Sequence, residues 1–434
     1  MNIRKTVKKV IPKNLFPAIE PYGHLVESIA FNTKAGFPAR GMKVIGVTGT
    51  NGKTTTSFLI HRMLHEAGYK VGLMTTVAYG VGDDIRPQVH HMTNVPVPEL
   101  MKRLKWMRKQ GVEWLVLETT SQALAQNRVW GVPYSVAVMT NVTHEHLDYH
   151  KTFERYRDAK RRLFKLADSN KQGLRAGIVN AEDPSAKLFI SDILHPISYG
   201  VDDGAVRATN IKQTSAGSTF TVEMADESYS ITCNIPGTFN IYNSLAAVCV
   251  GRVVGLSPKQ IEHGIAALES VEGRMTTIEE GQKPTVIVDF AHTPDSFEKL
   301  FKDLRPVVKG KLIVMFGSAG RRDEAKRAVQ GRLAGEYCDE VVITEEDDRD
   351  VNGQTIMEEI AAGAQEAGKK RDKDLFLVHD RTKAIEFAIS RGATKNDTVV
   401  LLGKGHEKTI ERADGEHHWD EIGTARKACK KLAK

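Results

Sequence analysis

Residues 44–56, VIGVTGTNGKTTT, run from an apolar stretch into a glycine-bearing turn and then into a lysine and three threonines. The apolar run reads as a buried strand, and Phe58, Leu59, Met63 and Leu64 follow at the spacing of an amphipathic helix. A strand, a tight turn and a helix N-terminus in that order form a cradle for phosphate. Backbone amides of the turn face the anion, Lys53 bridges the outer phosphates, and the Thr54 hydroxyl can ligate magnesium. Spacing departs slightly from the common pattern, because Val47 stands five before Gly52 and Gly46 lies one further back. Gly49, Thr50, Asn51, Gly52, Lys53, Thr54 and Thr55 therefore predict a nucleotide site, with an ordinary tight turn as the alternative. The loop alone does not choose between ATP and GTP.

Outward from this loop, apolar runs alternate with helical patterns, which predicts a doubly wound α/β architecture with largely parallel sheets. Strands are expected at KVIGVTG, KVGLMTT, EWLVLETT, SVAVMTN and AGIVNAED, and later at TVIVDFA, KLIVMFG, EVVITEE, LFLVHD and TVVLLGKG. Residues 205–235 break the rhythm with a Thr/Ser-rich alternation, as in a small appended antiparallel sheet. A second α/β series begins near Gly273. The predicted organisation is a short N-terminal segment 1–40, a central nucleotide-binding domain 41–272 and a Rossmann-like C-terminal domain 273–434.

The chain has 434 residues, 41% of them hydrophobic, long enough for two or three cores. Cys233, Cys249, Cys338 and Cys429 are scattered without metal or disulfide spacing, which suits a reducing cytosol. The longest apolar helix candidate, SLAAVCVGRVVGL, is interrupted by Arg252 and falls far short of the roughly 20 residues that span a bilayer. The basic N-terminus lacks a secretory signal's apolar core. A net charge of +7 comes without a basic tract interleaved with aromatics, so anionic small substrates are expected in place of nucleic acid. A cytoplasmic monomer is the resulting expectation.

Three further places carry chemistry. Glu118 ends the apolar strand WLVLE and sits well for a divalent ion on the phosphates, the alternative being an acid that caps the next helix. TNVTHEHLDYH packs three histidines into residues 144–150, a density that suits metal binding or proton transfer. In TFERYRDAKRRLFKLAD, Lys160 falls on the apolar stripe of Phe153, Tyr156, Leu163, Phe164 and Ala167. An inward lysine loses hydration, so its amine is more often neutral and able to react with carbon dioxide; the alternative is a side chain that snorkels to solvent.

Eight blocks in order, GVTGTNGKTTT, ETTSQALAQNRVWGV, TNVTHEHLDYHKTFERYRDAKRRLF, GTFNIYNSLAA, GRMTTIEEG, VDFAHTPDS, FGSAGRRDEAKR and GKGHE, resemble the Mur ligases, and within them the MurE type. The resemblance covers residues 44 to 407. It implies ATP-dependent ligation of a diamino acid to a UDP-muramoyl-dipeptide in peptidoglycan precursor synthesis, through an acyl phosphate. By the same resemblance Thr54 and Glu118 hold a first magnesium, while His146 and a carbamylated Lys160 serve a second. Asn240 and Asn243 resemble adenine-side contacts, Arg274 a γ-phosphate contact, and Asp289 with His292 a second side of the ATP site. Thr120, Ser121 and Arg128 match positions near the muramoyl peptide. Arg322, Asp347, Arg349, Gly403 and Glu407 match positions for the incoming amino acid.

Departures are specific. Where members adding meso-diaminopimelate commonly read Asp-Asn-Pro-Arg, this chain reads EEDDRD, with Asp347 and Asp348 in place of Asn and Pro while Arg349 remains. The extra acid favours a cationic head and the arginine a carboxylate, so meso-diaminopimelate, lysine and other diamines stay open. Thr120, Ser121 and Gln122 stand for Ser-Ser-His, and Glu145 for an Asp. About 40 residues precede the phosphate loop, too few for the UDP-binding domain of typical members. That leaves a weaker grip on UDP, an acceptor without UDP, such as a lipid-linked muropeptide or folate, or contact from a partner. A non-catalytic nucleotide-binding regulator is the other class. The segment IPKNLFPAIEPYGHLVESIAF behind its lysines is compatible with lying on a membrane or on another protein, and equally with a packing arm.

Overall fold

The computed structural model describes residues 16–433 apart from Val89, His91, His144, His146, Ser215, Ala216 and Asp226. Two compact units share the chain. The first holds residues up to Ile211 with Phe220–Thr232 and Phe239–Leu268; the second holds Glu269 onward with the segments Lys212–Thr219 and Cys233–Thr238.

Strands β1 (Lys43–Thr48), β2 (Val71–Met74), β3 (Ala78–Val81), β4 (Asp84–Pro87), β5 (Trp114–Glu118), β6 (Tyr134–Met139), β7 (Ala176–Asn180), β8 (His195–Gly200), β9 (Val206–Thr214), β10 (Gly217–Glu223) and β11 (Ser228–Cys233) form one sheet. Its order is β11-β10-β9-β8-β7-β6-β1-β5-β2-β3-β4. The strand read from residues 44–48 lies at the heart of the sheet, parallel to β5 on one side and β6 on the other. Val44, Ile45 and Val47 are fully buried, as a strand covered on both faces requires. The Thr/Ser-rich stretch supplies β9–β11, which continue the sheet edge through two parallel pairs between β8 and β9. At the other edge β3 and β4 turn back antiparallel.

The helix Lys53–Glu66 buries Leu59, Ile60, Met63 and Leu64 completely or nearly so. At about 1.5–3 kcal/mol for each such side chain, this burial holds the helix whose first turn forms half of the cradle. Helix Pro258–Ala266 packs on it closely: a β-carbon on Gly264 would lie 2.5 Å from the Met63 α-carbon. Helix Phe16–Ala35 is a packing arm on the first unit. Its Ser28 hydroxyl donates to the Asn127 carbonyl at 3.0 Å and its Asn32 amide to the Trp130 carbonyl at 2.9 Å. No helix of the described residues is long and apolar enough to cross a membrane.

The second unit is built on β12 (Thr276–Ile278), β13 (Thr285–Asp289), β14 (Leu312–Phe316), β15 (Glu340–Ile343), β16 (Leu375–Leu377) and β17 (Thr398–Leu402), with a hairpin of β18 (Thr409–Arg412) and β19 (Gly415–His418). The order is β12-β13-β17-β14-β15-β16, parallel except for β12. Helices Pro294–Leu304, Ala325–Tyr337, Gly353–Glu366 and Arg381–Arg391 follow its strands in the alternation that the sequence predicts.

Candidate active site

Register places the first group of polar residues. Val47 of β1 is level with Glu118 of β5, and Thr48 is level with Met139 of β6. The phosphate loop therefore leaves the sheet between Glu118 on one side and Thr140–Asn141 on the other, at the carboxyl ends where ligands gather in such sheets. The Glu118 carboxylate, 1% exposed, accepts from the Thr54 hydroxyl at 3.0 Å, the Thr76 amide at 3.0 Å and the Thr76 hydroxyl at 3.0 Å. It does not cap the following helix; the Thr120 side chain does, accepting from the Ala123 amide.

Gly49 and Gly52 are required by space as much as by backbone. A β-carbon on Gly49 would lie 1.8 Å from Thr140 Oγ1, and one on Gly52 would lie 2.4 Å from Asn243 Oδ1. Gly52, with φ +82°, starts the helix Lys53–Glu66 without any side-chain cap, unlike the helices starting at Ser121, Phe153 and Pro258. Its first amides thus present a partial positive charge, with no side-chain cap among the described residues. Asn141 Oδ1 accepts from the Asn51 amide, and Thr140 Oγ1 donates to the Asn51 carbonyl at 2.6 Å, so the neighbouring loop fixes the cradle.

Two lysines converge on this loop. Lys53 Nζ donates to the carbonyls of Gly49 at 3.0 Å and Thr50 at 2.7 Å. Lys160 is 2% exposed and donates to the same Gly49 carbonyl at 2.6 Å, with its amine nitrogen 4.4 Å from the centre of the Tyr156 ring. It does not snorkel. Burial first, and the Lys53 charge second, push its amine well below the usual lysine range, against the attraction of Glu145, Glu118 and Asp183. Thr50 is held by the Tyr156 hydroxyl at 3.0 Å, and Thr55 is buried in the first helical turn. His146 lies outside the described residues, and among those described no group of three His, Cys, Asp or Glu side chains is arranged to hold a metal. Thr54 and Glu118 nevertheless supply adjacent hard oxygen donors of the kind magnesium takes.

Asn240 and Asn243 are buried on helix Thr238–Val254, bonded to each other at 2.8 Å, and Asn243 accepts from Thr56 at 3.1 Å. Ser121 meets His150 Nε2 at 3.0 Å, and Arg128 donates to the Asn94 carbonyl at 2.6 Å. Asn94 in turn accepts from the amide and hydroxyl of Thr120, both at 2.9 Å, and donates to the Glu118 carbonyl at 2.8 Å. Sequence reasoning missed Thr76 and Asn94. Thr76 closes KVGLMTT, where the rule of strand carboxyl ends points to it; Asn94 sits in a loop without a motif.

In the second unit, Asp289 of β13 is level with Leu402 of β17, which brings Phe290 and Gly403 out side by side. Asp289 accepts from the amides of Met275 at 2.8 Å and Ala291 at 2.7 Å; burial raises its carboxyl above the usual range, opposed by Arg274. Phe290, also missed in the sequence, carries Arg274 at 4.8 Å, His292 at 4.7 Å and His406 at 4.8 Å around its ring. Arg322 is exposed, and Arg349 is bonded to Glu411 and to the Gly320 carbonyl. Asp347 accepts from Lys404 Nζ at 2.9 Å, and Glu407 bonds the same lysine at 2.5 Å.

A phosphate cradle with an acid–threonine pair and a buried lysine, on a chain with a second doubly wound unit, defines a nucleotide-using α/β protein. Residues 47–251 match the Mur ligase middle domain and residues 273–405 the Mur ligase glutamate ligase domain; the chain belongs to the Mur ligase family, whose members are ATP-dependent ligases. Its relatives are of the MurE type. It is 41% identical over 412 residues to the UDP-N-acetylmuramyl-tripeptide synthetase of Roseiflexus sp. (strain RS-1), covering 92% of this chain and 80% of that one. It is 37% identical over 399 residues to the UDP-N-acetylmuramoyl-L-alanyl-D-glutamate--2,6-diaminopimelate ligase of Geobacillus thermodenitrificans (strain NG80-2), covering 91% and 80%. A solved structure of a ligase with that same name superposes with a TM-score of 0.66 at 27% identity over 95% of this chain and 82% of that one. MurF ligase from Thermotoga maritima in complex with ADP shares the fold, with a TM-score of 0.67 at 18% identity over 94% and 84%.

Proposed function

We propose that this chain joins a diamino acid to a UDP-muramoyl-dipeptide at the expense of ATP, forming ADP and phosphate. The observation that carries the reading is the Thr54–Glu118 pair beside an uncapped phosphate-loop helix. Residues 41–272 act as the nucleotide-binding domain and 273–434 as the domain for the incoming amino acid. Gly49–Thr55 hold the ATP phosphates, Lys53 offsets charge on the phosphoryl group in transit, and Asn240 and Asn243 serve the adenine side. Arg274, Asp289 and His292 serve the nucleotide, while Thr120, Ser121 and Arg128 meet the muramoyl peptide. The peptide carboxylate takes the terminal phosphoryl group, and the amine then displaces phosphate from the carbonyl. Magnesium held by Thr54 and Glu118 would further neutralise the phosphates. His146 and a carbamylated Lys160 would provide for a second ion. Incubating the purified protein with ATP, magnesium, UDP-muramoyl-dipeptide and a panel of amino acids should release phosphate with a diamino acid and add its mass to the acceptor. Silence with the whole panel overturns the reading.

Lys160 gives a second expected result. Lys160→Met removes a buried amine and is expected to raise stability by about 1–3 kcal/mol at neutral pH while turnover is lost. Because the folded state depresses this amine, the wild type binds fewer protons folded than unfolded between its lowered value and 10.5. Its stability therefore rises with pH through that window, and the gap to the variant closes towards pH 10.5. Denaturant melts across pH together with phosphate release check this; full turnover in the variant sinks the carbamate.

A further inference from the structure

Helix Phe16–Ala35 turns a polar stripe inward and an apolar one outward. His24, Ser28 and Asn32 are buried at intervals of four, held by the Ser28 and Asn32 bonds given above and by the Asn127 side-chain amide, which donates to the Pro21 carbonyl at 3.1 Å. Phe31 and Ala35 add apolar contact with the first core at its end. On the opposite side Ile19, Tyr22, Val26 and Ile29 are 46%, 69%, 67% and 40% exposed. Their spacing of three, four and three sets them in one row along the helix. Gly23 and Ala30 widen the row, and a β-carbon on Gly23 would meet nothing within 4 Å. Glu20 and Glu27 stand half-buried beside His24, so the row itself carries no acid. A surface helix ordinarily buries such a stripe, and an apolar row left outside marks a contact surface.

The surroundings of the row are basic. Helix Val97–Lys109 packs beside it and exposes Lys102, Lys105, Arg108 and Lys109. Of these four, among the described residues, only Lys102 has an acid within ion-pair reach, Glu99 at 3.8 Å. Lys34 and Arg40 are exposed at and just beyond the end of helix Phe16–Ala35. In the sequence that helix is preceded by Arg4, Lys5, Lys8, Lys9 and Lys13, with no acid before Glu20. Ile3, Val7 and Val10 are interleaved with these cations at intervals of four and three. An uncharged row ringed by unpaired cations suits a partner that is apolar within and anionic at its face.

We infer that the outward face of helix Phe16–Ala35 rests on an anionic lipid surface. Ile19, Tyr22, Val26 and Ile29 enter the boundary between headgroups and acyl chains, while the lysines and arginines around them meet lipid phosphates. A short apolar row alone holds weakly to lipid, and cations alone are screened by salt; together they make a reversible anchor. The helix lies on the surface, since no helix of the described residues is long and apolar enough to cross a membrane. A second copy of the chain fits less well. Four side chains fall far short of the roughly 20–30 residues a side of a stable interface, and parallel pairing would bring two basic segments together. Neither the row nor its cations belong to the residues assigned to ATP or the muramoyl peptide, so lipid binding is independent of the ligase reading.

The test sediments the full chain with vesicles of phosphatidylcholine, alone or with about one third phosphatidylglycerol. Binding to the anionic vesicles should exceed binding to the neutral ones by about tenfold or more, and should weaken severalfold between about 0.1 M and about 0.5 M salt. Tyr22→Ser combined with Val26→Ser should cut that binding about tenfold or more at unchanged melting temperature, because both side chains are mostly exposed. Lys105→Glu combined with Lys109→Glu should cut binding to the anionic vesicles by about tenfold or more. Equal binding to both kinds of vesicle, or binding to neither, overturns the inference. Binding that Tyr22→Ser with Val26→Ser leaves unchanged overturns it too. A dimer in solution that the same double change dissociates assigns the face to a second copy and likewise overturns it.

Discussion

Replacing Lys53 by alanine is expected to lower phosphate release by about 10³-fold or more, with little change in melting temperature. In the structure this ammonium is half-buried and bends back to the carbonyls of Gly49 and Thr50. Those bonds keep it at the mouth of the loop, within a short swing of any phosphate seated on the first helical amides. Alanine removes the charge and leaves the loop's other supports in place, because Asn51 is still held through Thr140 and Asn141. The loss should therefore fall on kcat, where charge moves during phosphoryl transfer, more than on fold. A variant that keeps a tenth of wild-type turnover would remove Lys53 from the chemistry.

Glu421→Ala is expected to destabilise the second unit by about 3–5 kcal/mol. Glu421 and Arg381 are both fully enclosed, and their side chains meet in a two-pronged pair at 2.9 and 2.6 Å. The remaining arginine donors reach the carbonyls of Glu345 at 2.9 Å and Leu402 at 2.7 Å, and the Trp419 indole donates to Glu421 at 2.7 Å. The pair thus links the helices Arg381–Arg391 and Glu421–Leu432 to the ends of β15 and β17. Truncating the acid strands a guanidinium that water cannot reach, and arginine does not shed its proton. Denaturant unfolding should show the midpoint fall; a double change of Arg381 and Glu421 to apolar residues should recover much of the loss. A single variant as stable as the wild type would contradict this account.

Much of the fold was legible because buried parallel strands leave continuous apolar runs, as in KVIGVT, TVIVD and LIVMF. The short strands β3, β4, β18 and β19 were not, since half-exposed segments such as DIRP and GEHH carry no such run. The cradle was legible in its glycines; the apolar stripe alone left Lys160 open between an inward and a snorkelling side chain, and the family resemblance pointed inward. What the sequence hid is second-partner chemistry. Nothing near Arg349 in the chain announces Glu411, 62 positions away. Contacts of that kind depend on where a hairpin returns, which local periodicity does not encode.

The Gly49 carbonyl, shared by Lys53 and Lys160, bears on how long the protein survives in a cell. Two amines share that oxygen, and the Lys53 charge disfavours a charged Lys160 beside it; a bound polyanion would offset that repulsion. At a nucleotide level 100 times the dissociation constant, occupancy alone adds about 2.7 kcal/mol. A chain starved of nucleotide would open more often and meet proteases sooner, which ties its abundance to the nucleotide supply around it.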